Sequence, residues 1–128
     1  MTSEEQAIYD RNARLARAMG YERIEKYHRG MRIIQMIFKV NDFLLWEFGD
    51  NSNGHFAKDR LLRWLAESRE RWVSFLIQLE LVLMVVFEPP LPRDQQIQKA
   101  MLATPDQVAS AADAALKDLG FYQESGNR

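Results

Sequence analysis

The chain has 128 residues, of which 47% are apolar, 27% charged and 11% aromatic, with six glycines, four prolines and no cysteine. That is enough for one ordinary domain with its own core; it excludes a collagenous, low-complexity or globally disordered chain, together with disulfides, thiol nucleophiles and thiolate-ligated metal centres. The net charge of −1 hides an asymmetry: residues 11–39 carry eight basic against two acidic groups, and residues 73–128 carry four against seven, the pattern of a basic helix that pairs with an acidic one.

Thr2 and Ser3 followed by Glu4 and Glu5 form a helix start signal, and a helix is expected over 3–19. No charged leader with an apolar run precedes it, so the expected compartment is the cytoplasm. The apolar side of this helix is thin, built from Ile8, Leu15 and Met19, and Gly20 marks its weak point.

From Ile24 the apolar residues Ile24, Tyr27, Met31, Ile34, Phe38, Leu45 and Phe48, with Asn41 among them, alternate three and four apart. This spacing predicts a long helix over 21–48 with heptad packing. Gly49 to Gly54 read as a turn. Leu61, Leu65, Ser68, Trp72, Phe75, Leu79, Val82 and Val86 then repeat the alternation, which predicts a second long helix over 55–87, closed by Pro89, Pro90 and Pro92. The two make an antiparallel hairpin. Shorter helices follow over 94–102 and 105–119, the latter opened by Thr104 and Pro105 and closed by Gly120, and residues 123–128 form a frayed tail. The expected fold is an all-α helical bundle, one domain over 1–122.

Both long helices are apolar on more than one face, so they require further cover. The flanking helices are rich in alanine, and self-association of the hairpin into a homodimer is the expected cover. A membrane span is disfavoured, because the run 72–87 is short and holds Gln78 and Glu80. Within the hairpin, Asn41 and Glu80 read as buried structural polar groups, with Glu80 level with Ile24 and close to Arg23 or Lys26.

No residue pattern supports catalysis, and no cofactor or metal is expected. Glu25 and His28 have a metal-ligating helical spacing, but the sequence has only two histidines, and His55 lacks a matching glutamate. There is no phosphate loop, dinucleotide fingerprint or nucleophile elbow. The expected function is a non-catalytic protein interaction module, an adaptor, regulator or inhibitor, with Phe43, Trp46, Arg63 and Trp64 as the partner interface, since Trp and Arg dominate interface hot spots. The alternative is nucleic-acid binding by the basic region 11–32, with Arg11, Arg14, Arg17 and Arg29 on phosphates. A membrane-associated helical protein is the third reading. The segment 96–119 resembles a helix-turn-helix in outline only, because its second helix carries Asp106, Asp113 and Asp118 against Lys117.

Overall fold

The computed structural model describes residues 3–30, 32–39, 42–47, 52–83 and 93–122. In chain order these form α1 (Ser3–Ala18), the strands β1 (Arg23–Arg29), β2 (Arg32–Lys39) and β3 (Asp42–Glu47), and the helices α2 (Ser52–Ala66), α3 (Arg69–Leu83), α4 (Arg93–Leu102) and α5 (Pro105–Asp118). The expected all-α bundle is therefore wrong. The segment read as a long helix over 21–48 is an antiparallel three-stranded meander in the order β1-β2-β3.

Two features of the sequence favour strands here. Residues 33–38 are an isoleucine-rich apolar run broken only by Gln35, and in so short a run a three-and-four spacing and an alternation fit almost equally well, so the heptad spacing carries little information. Gly30 interrupts the segment at φ 65°, beside the paired Arg29 and Arg32, and supplies the left-handed residue that a tight hairpin needs. The second connection falls between the paired Lys39 and Asp42. Asn41 lies there, outside the described residues.

Among the described residues the helix expected over 55–87 is two helices, α2 and α3; Val86 and the expected stop at Pro89, Pro90 and Pro92 lie outside the described residues. Backbone bonds from Glu67 N to Trp64 O (3.2 Å) and from Ser68 N to Leu65 O (3.3 Å) tighten the end of α2, and Ser68 Oγ accepts from Arg71 N (3.4 Å) as the N-cap of α3. The proposed long-helix hairpin does not exist, and no dimer can form through it. The core-facing spacing survives the break, with Leu61, Leu65, Trp72, Phe75 and Leu79 all buried.

The central element is α5. Val108, Ala109, Ala111, Ala112, Ala115 and Leu116 bury more than half of its circumference, and it packs most extensively on α3 and also on α2 and α1. Alanines let the backbones approach closely, so this helix is a hub rather than a cover. It begins at a full capping box, with Thr104 Oγ1 accepting from Gln107 N (3.2 Å) and Gln107 Oε1 from Thr104 N (3.0 Å).

Candidate interaction surface

The register of the meander sorts its side chains into two faces. Ile24, Lys26 and His28 share the inner face with Ile33, Gln35 and Ile37, and with Asp42, Leu44 and Trp46. Helices α1 and α2 reach the sheet on this side. Asn12 Nδ2 of α1 donates to Gln35 Oε1 (2.9 Å), and Gln35 Nε2 donates to the Tyr9 carbonyl (3.2 Å). Arg60 of α2 binds Asp42, which also accepts from the Tyr21 hydroxyl (3.1 Å). The Arg60 hydrogen bond holds the Asp42 carboxyl below the ordinary carboxylate range, and burial pushes the Tyr21 phenol up.

The outer face carries Arg23, Glu25 and Tyr27 on β1, Ile34, Met36 and Phe38 on β2, and Phe43 and Leu45 on β3. Ile34 is buried, but Tyr27 is 46% and Phe43 56% exposed. Phe38 and Phe43 stack with ring centroids 6.3 Å apart, and the Arg23 guanidinium lies 4.0 Å from the Phe38 centroid. At this end of the sheet Glu22, Arg23, Phe38 and Lys39 line a cavity of about 260 Å³.

A second apolar surface runs along α3. One side of this helix is buried through Trp72, Phe75, Leu76 and Leu79. On the other, Val73, Ile77 (54% exposed) and Leu81 (68% exposed) recur every fourth residue and form a ridge. Beside it, Arg69, Glu70, Val73, Ser74, Ile77 and Leu119 line a shallow cavity of about 570 Å³.

The four expected interface residues do not come together. Phe43 and Trp46 have opposite parity in β3, so Phe43 is on the outer face while Trp46 is core, 2% exposed. Trp64 is held on α2 between the Arg71 guanidinium (4.0 Å from its ring centroid) and the Phe121 ring (6.0 Å). Arg63 is exposed, pairs with Asp59 at 2.9 Å and borders a separate cavity of about 230 Å³ with Leu62, Ala66, Ile97 and Met101. Glu80 is half-buried on α3. Its expected neighbour Ile24 is on a strand, so the level that placed it beside Arg23 or Lys26 is gone.

The basic and acidic regions do meet, along the seam between α1 and α5. Arg11 Nη1 donates to Asp106 (2.8 Å) and Ser110 Oγ (3.1 Å), and Arg14 makes two bonds to Asp113 (3.1 and 2.9 Å), which Lys117 also approaches at 3.6 Å. Two of the four candidate phosphate contacts are thus neutralised inside the fold. Arg17 is exposed in the last turn of α1, and Arg29 ends β1. Burial works against the charge of Asp113, yet Arg14, with Tyr122 and Lys117 beside it, together outweigh it and hold the carboxyl below its ordinary value. Nearby, burial and then the Asp113 carboxylate push the Tyr122 phenol up.

A carboxylate with a depressed pKa stabilises the fold above the ordinary value near 4, and that stability is lost as pH falls through the lower, folded value. Asp113→Asn is therefore expected to cost about 2 kcal/mol at pH 7, with the gap from wild type closing at the most acidic pH at which both still fold. Urea titrations at pH 7 and pH 3 check this; a gap equal at both values would show that the carboxylate charge is not what matters.

On a strand, Glu25 and His28 also fall on opposite faces, so the spacing that suggested metal ligands on a helix separates them here. Among the described residues no group of three His, Cys, Asp or Glu side chains could hold a metal ion, and no helix is long and apolar enough to cross a membrane. No family model matches the chain, and neither the curated proteins nor the solved structures contain a match.

Proposed function

We propose that the chain is a non-catalytic protein interaction module working in the cytoplasm, where a cysteine-free fold needs no oxidising environment. The observation that carries the reading is the outer face of the meander, which leaves Tyr27 and Phe43 open to solvent beside Phe38, Met36 and Leu45. Antiparallel sheets that keep one face in water ordinarily alternate apolar and polar residues, whereas β2 and β3 here place apolar side chains on both faces, Ile33, Ile37, Leu44 and Trp46 on one and Ile34, Met36, Phe38, Phe43 and Leu45 on the other. An apolar patch rimmed by Arg23 and Glu25 has the anatomy of a docking surface. The polar side chains argue the same way: Arg11, Arg14, Asn12, Gln35 and Arg60 are each tied into contacts that hold elements together, and the cavity beside α3 has a mainly aliphatic lining.

The test compares wild type with a double variant, Phe43→Lys with Ile77→Lys, as bait in a lysate of the source cells. Both positions are exposed, so circular dichroism is expected to be unchanged. Proteins retained by wild type and lost by the variant support the reading; identical retention by both overturns it.

A further inference from the structure

Resting on that reading, we infer that the occupant of the outer sheet face is the α3 ridge of a second copy of this chain. Size points to one helix. Neighbouring strands lie about 4.8 Å apart, so the face is about 10 Å across, the diameter of a helix with its side chains. With six to eight residues per strand its area is on the order of 300 Å², well short of the roughly 800 Å² per partner that a stable flat interface buries. One helix laid on the face fits it, whereas two sheets stacked face to face would bury too little.

The same chain offers a helix of matching dimensions. Val73 to Leu81 spans eight residues, about 12 Å along α3. The row of Phe38 and Phe43 is four residues from the row of Tyr27 along the strands, about 13 Å. The helix cannot serve its own sheet, because α3 is packed on α5 and α2. Charge sets the direction. Glu70 is exposed one turn before Val73, while Arg23 stands on the outer face at the Phe38 and Phe43 end, with Glu22 alongside. Val73 placed over the row of Phe38 and Phe43 brings Glu70 toward Arg23 and Leu81 over the row of Tyr27. A helix given in each direction doubles the contact and brings the buried area to the order of a standard interface.

Light scattering on the full chain at about 10 and 200 µM is expected to show a dimer or larger species at the higher concentration, and Ile77→Lys or Phe43→Lys alone to shift it toward monomer at least tenfold in concentration. Pairing is then read by disulfide trapping, for which the absence of native cysteine gives a clean background. Val73→Cys mixed with Phe43→Cys is expected to yield the mixed disulfide several-fold above either homodimer and above a Leu102→Cys control. A monomer at both concentrations, or homodimers of Val73→Cys that prevail over the mixed species, would overturn the inference. A monomer that still loses captured proteins in the double variant would leave the interaction module standing and remove only the second copy as its partner.

Discussion

Trp46→Ala is expected to cost about 4 kcal/mol, close to the whole stability of a small domain, whereas Phe43→Ala, three residues away, is expected to stay within about 0.5 kcal/mol of wild type. The difference follows from strand parity. Trp46 faces inward with Leu44 and Ile37, each buried, so truncation leaves a cavity where the sheet meets the core. Phe43 faces out and loses mainly its stacking with Phe38. Chemical denaturation of the two variants checks this, and comparable losses at both positions would contradict the two-faced sheet.

Lys58→Ala is expected to cost about 3 kcal/mol and to release α4 first. Lys58 is buried on α2, and its ammonium donates to the carbonyls of Met101 (2.6 Å) and Ala103 (2.9 Å) at the C-terminal end of α4. A cation there answers the negative end of the helix dipole and satisfies carbonyls that the helix leaves unbonded. Another tie is the bond from Trp72 Nε1 to Gln96 Oε1 (3.0 Å), beside the burial of Ala100. Amide exchange should show α4 losing protection before α5 in the variant. Exchange unchanged in α4 would mean that its apolar contacts suffice.

The parts of the fold that could be read in the sequence were those with local chemical punctuation. Thr104, Pro105 and Gln107 announce α5, Ser3 with its following glutamates announces α1, and each helix stands within a residue or two of that reading. The meander is hard to read in the sequence because residues 33–38 are apolar except at Gln35. A three-and-four spacing can be drawn through such a run as easily as an alternation. The signals that would have decided were the four isoleucines between residues 24 and 37 and the glycine at position 30. Ser68 was read as a heptad position although a serine followed two residues later by Glu70 is also a helix start. A helix over 21–48 would let Phe43 and Trp46 share a surface and put Glu80 beside Arg23. Neither geometry outlives the correction. The charge asymmetry was sounder, since Arg11 and Arg14 meet Asp106 and Asp113. Long-range pairing of this kind is visible in sequence only as a sign, never as a partner.

The outer face, and the docking proposed on it, depend on residues 23–47 forming a meander, and nuclear Overhauser contacts in the isotope-labelled chain test that most directly. Cross-strand Hα to Hα contacts are expected at alternate pairs from Arg23 with Phe38 to Arg29 with Arg32, and from Ile34 with Glu47 to Lys39 with Asp42. A continuous series of contacts between residues three apart through 24–46, with no cross-strand contacts, would restore the helix and dissolve the outer face on which the proposed docking rests.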